Sequence, residues 1–203
     1  MAVVEKEKKS DKKINIPKQL IYEMKKGKPI YYRDYDKVIK GEKNLEKVIG
    51  SSKLQSWIVD LIVSFIYQKI DRRRYKILYN EIGYKTSPNT WISLDIAIFD
   101  KAKILKEGID NRYVKTPPEV VIEIDTKADL RKYGDFMNYS REKTQELLDS
   151  GVKKVIWYTT FDKKVMVAEK GKKWFITDWG DNIIVVDDIE MNLEDLFTKE
   201  IEQ

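Results

Sequence analysis

The sequence predicts an α/β domain with a mixed central β-sheet flanked by helices. Three observations lead there. After Ser52 comes a long segment with apolar residues at three- and four-residue spacing. Several short Ile- and Val-rich runs bounded by turn residues follow it. A second helical segment then stops at Gly151, directly before another such run. At 203 residues the chain suits one domain. Its organisation reads as a charged tail over residues 1–13 and a single folded unit over 14–203.

Residues 1–13 are dominated by charge and show no periodicity, so they read as a solvated tail. In PKQLIYEMKKG, Pro17 sits where a helix can begin, and lysines precede Gly27, which predicts a short helix capped by that glycine. PIYYRDYDKVIKGEK alternates loosely and reads as an extended or hairpin segment. SKLQSWIVDLIVSFIYQKI puts Leu54, Trp57, Ile58, Leu61, Ile62, Phe65 and Ile66 on one helical face, with Ser51 or Ser52 as the cap.

YKILYNEI then reads as a strand, SPNT as a turn and WISLDIAIFD as a second strand. Pro117 and Pro118 halt any helix, and EVVIEID follows as a nearly continuous apolar run, typical of a strand covered on both faces. The segment 135–150 is helical. KKVIWYTT is a strand, and KKVMVAEKGKKWFITDWGDNIIVVDD reads as a C-terminal β-meander with turns at Lys170-Gly171 and Gly180-Asp181. NLEDLFTKEI closes the chain as a helix capped by Asn192.

Composition narrows the chemistry. With no His and no Cys, Ser-His-Asp triads, thiol catalysis, zinc ribbons, most catalytic zinc sites and iron-sulfur clusters are excluded. Carboxylates, lysine, tyrosine and hydroxyls remain, with or without a hard metal ion. No apolar run approaches the ~18 residues of a membrane span, and the N-terminus lacks a signal-peptide core, so a cytoplasmic, soluble protein is expected. The 39 Lys plus Arg against 34 Asp plus Glu give a formal net charge of +5, which suits a polyanionic partner and equally a merely well-solvated surface.

Two strands carry acids inside otherwise apolar sequence. In SLDIAIF, alternation puts Leu94, Ile96 and Ile98 on one face and Ser93, Asp95, Ala97 and Phe99 on the other. In VVIEID, Glu123 and Asp125 share a face with Val121. Carboxylates brought together under an apolar cover repel one another and require a cation. A divalent ion is one candidate, and with only hard oxygen ligands on offer it would be Mg²⁺ or Mn²⁺. The other is Lys143, which interrupts the stripe Phe136, Tyr139, Leu147, Leu148 and either snorkels to the rim or meets the acids.

With those residues in view, the chain resembles the PD-(D/E)xK nuclease superfamily, and within it the small bacterial restriction-endonuclease-like proteins of the Uma family, most of whose members have no assigned function. The resemblance runs from about Tyr35 to the C-terminus, through GSSKLQSWIVDLI, LDIAIFDK, PPEVVIEIDTKADL and EKTQELLDSGVKKVIWY. It implies a restriction-endonuclease-like core of helix, three strands, helix, strand. Asp95 matches the first acid, although Leu94 stands where proline is usual, and Glu123 matches the second. Asp125 occupies the place of the general pattern's lysine, whereas Lys143 matches the Uma placement, eight residues before Gly151. Lys53 stands where many members have histidine, and Glu42 lines up with a family glutamate that could add a metal ligand.

The resemblance thus implies Asp95, Glu123, Asp125 and Lys143 as catalytic residues, Asp95, Glu123, Asp125 and Glu42 as metal ligands, Mg²⁺ or Mn²⁺ as cofactor, and DNA as partner. Phosphodiester hydrolysis needs charge stabilisation at phosphorus and an oriented water. Lys143 would orient that water, activate it or contact the phosphate. Arg72, Arg73 and Arg74, together with Lys127, Arg131 and Lys132, could grip a phosphate backbone or simply solvate a face. No helix-turn-helix or zinc-finger pattern specifies a DNA sequence. A homodimer would suit double-strand cutting, with Trp174 and Trp179 either lining an interface or closing the core. The competing readings are a binding domain on the same fold without turnover and a structural cluster of acids paired with lysines.

Overall fold

The computed structural model describes residues 16–202; the expected tail, residues 1–13, lies outside them. Its centre is an eight-stranded sheet in the order β2-β1-β4-β5-β6-β7-β8, with β3 paired along the other edge of β4. These strands are β1 (Ile21–Lys25), β2 (Lys28–Tyr31), β3 (Tyr75–Ser87), β4 (Thr90–Asp100), β5 (Val120–Ile124), β6 (Lys154–Tyr158), β7 (Lys164–Glu169) and β8 (Phe175–Asp178). Strands β5 and β6 are parallel and the other neighbours antiparallel. The sheet is therefore mixed, as expected, and the parallel pair is joined through a helix, as a parallel connection requires.

The helices are α1 (Tyr35–Ile39), α2 (Glu46–Ile49), α3 (Lys53–Lys69), α4 (Lys101–Glu107), α5 (Phe136–Asp149) and α6 (Leu193–Ile201). None among the described residues is long and apolar enough to cross a membrane. Helix α3 starts where Ser52 accepts a hydrogen bond from the Gln55 N–H, and α5 where Asp135 accepts from the Asn138 N–H. Asn192 caps α6 by accepting from Asp195. Each cap satisfies a backbone donor that the first helical turn leaves open.

Two apolar clusters cover the two faces of the sheet. Ile58, Ile62 and Ile66 of α3 meet Ile96, Ile98, Ile122 and Ile124 on one side. Tyr139, Leu147 and Leu148 of α5 meet Ala97, Phe99, Val121 and Val155 on the other. Strand β5 is buried from end to end, as its unbroken apolar run requires. Leu94, expected beside Ile96, instead joins the α5-side cluster.

Three further expectations are corrected. The segment after Pro17 is only a single 3₁₀ turn, Lys18–Leu20, followed by the β1–β2 hairpin. Lys26 and Gly27 both have positive φ, 49° and 75°, the geometry of a tight hairpin turn, so Gly27 turns a strand instead of capping a helix. On α3 the buried face runs through Gln55, Ile58 and Ile62, while Leu54 and Trp57 are exposed. The meander is interrupted: β9 (Ile183–Val186) leaves the sheet and pairs with β10 (Ile189–Met191) as a separate two-stranded sheet packed into the α3-side core. Trp179 is buried in that core and Trp174 packs against the other cluster, so both close the interior.

Candidate active site

The acids gather where β4 and β5 separate. Their ladder pairs Ile96 with Ile122 as its last register position, which leaves Asp95 and Glu123 as the next residues along the two strands. The Ile124 N–H donates to Asp95 Oδ2 at 2.8 Å, so a side chain takes the place of a backbone acceptor. From α3 the Gln55 amide reaches the Ile124 carbonyl at 3.2 Å and Asp95 Oδ1 at 3.4 Å.

Lys143 meets the acids; it does not snorkel. Its ammonium donates to the Ser93 carbonyl at 2.8 Å and to Glu123 Oε2 at 3.0 Å, and lies 2.9 Å from Glu23 Oε1. Three oxygens thus surround a group with three protons. Glu23, on β1, accepts from the Tyr139 hydroxyl at 2.9 Å through Oε2 and from the Ser93 N–H through Oε1. The rings of Tyr22 and Trp157 lie 5.8 and 5.4 Å from the ammonium, so cation–π attraction adds to the ion pairs.

Electrostatics follow from burial. Asp95, Glu123, Glu23 and Lys143 are all buried, and three carboxylates face one ammonium. Burial pushes the Asp95 carboxyl up to about 6, although the Ile124 N–H and Lys143 pull it down. Burial raises Glu123 well above the carboxylate range, and Asp95 and Glu23 add to the push against Lys143. For Lys143 burial favours the neutral amine, but Glu123 and Glu23 outweigh it and hold the ammonium well above the ordinary lysine value. Within this cluster Glu123 Oε1 is buried with no hydrogen-bond partner among the described residues.

The other expected site residues lie elsewhere. Asp125 follows the last residue of β5 at φ 52°, so strand alternation no longer applies to it. Its carboxylate accepts from the Thr160 N–H at 2.8 Å and the Thr160 hydroxyl at 2.5 Å. Glu42 is exposed in the turn after α1 and outside the cluster. Among the described residues no group of three or more carboxylates is arranged to hold a metal ion. Lys53 is exposed over the Trp57 ring, and the residue α3 sends into the site is Gln55, two positions later.

The basic residues divide. Arg73 pairs with Asp71 and Arg74 with Asp187, at the end of β3 where Tyr75 faces Asp100 and not Asp95. Lys127 pairs with Glu81 and Arg131 with Asp129. Lys127 also lines a cleft of about 530 Å³ with Arg33, Asp34, Lys47, Gln55, Asp125 and Phe161; of the residues that touch the acidic cluster, Gln55 is the one on its wall.

Glu23 and Gln55 are the residues that the sequence-based expectations missed. Glu23 interrupts the apolar stretch IYEM, the same signal that marked Asp95, but it falls in a segment read as a helix. Gln55 precedes Ile58 and Ile62 by three and seven residues, so it lies on the buried face; the apolar chemistry of Leu54 and Trp57 drew the stripe off by one position.

No family model matches the chain, and no curated protein matches it. Among solved structures it is similar to a protein of Anabaena variabilis described as "a putative nuclease belonging to DUF820", with a TM-score of 0.64 and 16% identity over 87% of this chain and 89% of that one. At that identity the similarity establishes a shared fold: a mixed sheet with flanking helices, C-terminal strands and a closing helix.

Proposed function

We propose that this protein is a metal-dependent nuclease that hydrolyses DNA phosphodiester bonds at the cluster of Asp95, Glu123 and Lys143. The observation that carries the reading is the crowding of acids: Glu23 and Glu123 share the Lys143 ammonium, Asp95 is buried beside them, and Glu123 Oε1 has no partner among the described residues. A divalent cation there would favour the ionised form of carboxyls that burial otherwise pushes toward the neutral acid. The available donors, the Asp95 and Glu123 carboxylates and the Ile124 carbonyl, are hard oxygens that suit Mg²⁺ or Mn²⁺. Mg²⁺ commonly takes one or two carboxylates and completes its shell with water and phosphate, so no third acid is needed. Bound there, the ion would supply Lewis-acid stabilisation of charge building on the phosphate.

The chain's own residues organise the rest. Asp95 is oriented by the Ile124 N–H and the Gln55 amide. Glu123 is oriented by Lys143, which Glu23 and the Ser93 carbonyl hold in turn. With three oxygens within 3.0 Å, Lys143 is already engaged inside the cluster, so in this reading it is a positioning residue that sets the angle of Glu123 and the charge of the site. In the reaction water adds to phosphorus, the bond to one sugar oxygen breaks, and that oxygen leaves as a hydroxyl with a proton from the water. Asp125 shapes the cleft wall through Thr160, and Glu42 takes no part.

The test is incubation of plasmid, linear duplex and single-stranded DNA with the protein in Mg²⁺, Mn²⁺ or EDTA. Cleavage with the metals only, lost in Asp95→Asn and Glu123→Gln variants that still fold, is the expected result. Cleavage retained in both variants would exclude this site. Salt-sensitive DNA binding without cleavage under any condition would favour a binding domain on the same fold.

A further inference from the structure

The cleft beside Gln55 carries an aromatic surface that the hydrolytic cluster does not use. Phe161 sits in the turn between β6 and β7 and is 68% exposed. Nothing about a turn demands phenylalanine, since turns favour Gly, Asn, Asp, Ser and Pro for backbone reasons. The ring is nonetheless held firmly. Its neighbour Thr160 gives both its N–H and its hydroxyl to Asp125, and the Thr159 hydroxyl bonds Asp162. Phe161 meets Phe136 edge-on at 5.6 Å, and Phe136 meets the buried Trp157 edge-on at 5.5 Å. A ladder of three rings therefore runs from the core to the cleft and ends on an open one.

The same cleft is lined by the cations Arg33, Lys47 and Lys127 against Asp34 and Asp125. Lys127 is paired with Glu81, and Asp34 with Lys37 and Lys43. The Arg33 guanidinium donates to the Thr126 carbonyl at 2.7 Å. Among the described residues neither Arg33 nor Lys47 has a carboxylate partner. A volume of about 530 Å³ falls within the range of roughly 300–1,000 Å³ typical of small-ligand sites. Two unneutralised cations beside an open ring match a phosphate and a base.

We propose that this cleft binds one unpaired nucleotide of single-stranded DNA, with its base stacked on Phe161 and its phosphates against Arg33 and Lys47. The inference rests on the phosphodiester reading and specifies the form of the substrate. A base inside a duplex shows only its edges in the grooves, whereas a base that stacks on a protein ring must be unstacked from its own neighbour. Stacking on an aromatic ring tolerates any base, since each has a π-face, so the site selects strandedness over sequence.

The experiment is fluorescence anisotropy of a labelled mixed-sequence oligonucleotide, single-stranded or duplex, in EDTA so that no cleavage intervenes. The single strand is expected to bind more tightly. Phe161→Ala should weaken that binding on the order of tenfold with an unchanged salt slope, and Phe161→Trp should preserve it. Lys47→Ala should lower the slope of log affinity against log salt by about 0.7. Equal affinity for both forms, or a neutral Phe161→Ala, overturns the stacking subsite and leaves the nuclease reading standing. Failure to bind or cleave any DNA form overturns that reading, and the subsite with it.

Discussion

Lys143 Nζ lies 2.9 Å from Glu23 Oε1, at a point where the two side chains are 3% and 4% exposed. The contact ties α5 to β1 across the end of the sheet. Lys143→Met would leave Glu23, Glu123 and Asp95 without the only buried counter-charge among the described residues, at a cost of about 3–5 kcal/mol. Lys163, which like its partner Glu194 is more than half exposed, should cost about 0–1 kcal/mol when changed to Met. Urea denaturation at neutral pH measures both. The Lys143→Met deficit should shrink on acidification, as the stranded carboxyls take up protons. Equal losses from the two variants would contradict the charge argument.

Divalent metal should stabilise the folded protein. An ion bound only to the native state adds about 2.7 kcal/mol at a hundredfold excess over its Kd, so Tm should rise with Mg²⁺ or Mn²⁺ and not with Na⁺ of equal ionic strength. Glu123→Gln should remove most of the rise. An undiminished shift in that variant would place the ion away from Glu123 Oε1.

Gln55 offers a sharper probe, because its amide nitrogen lies 3.2 Å from the Ile124 carbonyl and 3.4 Å from Asp95 Oδ1. Gln55→Glu replaces that donor with another carboxylate. In EDTA the variant should be less stable by about 1–3 kcal/mol, and Mn²⁺ should restore more of its Tm than it adds to the wild type. Thermal melts with and without Mn²⁺ decide; identical metal responses would show that residue 55 does not face the ion.

A pH dependence unconnected with the site is expected from Glu119. It receives a hydrogen bond from Lys103 at 3.0 Å and another from Lys153. Burial alone would push its carboxyl up, but the two lysines win and hold it below the ordinary 4.5. Its folded pKa is therefore the lower one, so the stabilisation is complete above about pH 4.5 and is lost as pH falls through the folded value. The stability gap between wild type and Glu119→Gln, followed by denaturant titration, should be flat near neutrality and close in acid. A gap that widened in acid would reverse the sign.

The α3–β3–β4–β5–α5–β6 order was legible because each element carries a strong local signal: the Ser52 cap of α3, the Ile-rich alternation of β4, the unbroken run of β5, and the helical spacing that stops at Gly151. Asp95, Glu123 and Lys143 were legible for a related reason, as charged residues at positions whose neighbours are buried. Glu23 was hidden because Lys26 and Gly27 read equally as a helix end or a hairpin turn, and only pairing with β2 and β4 settles which. Asp125 was placed on the Glu123 face by an alternation that stops one residue earlier, at Ile124. The role of Gln55 depends on the separation of two strands that its own helix does not adjoin in sequence.

Sequence by itself determined that any chemistry here belongs to carboxylates, lysine, tyrosine and hydroxyls, with or without a hard metal ion, since imidazole and thiol are absent, and that buried acids on two strands call for a cation. The tertiary structure decided how far that need is met. It brings Glu23 from β1 and Lys143 from α5 to the same point, pairs the ammonium with Glu23 and Glu123, and leaves Glu123 Oε1 without a partner among the described residues. Periodicity fixes which face a side chain takes within its own element, but whether two charges from distant elements cancel depends on distances that only the packed sheet and helices set.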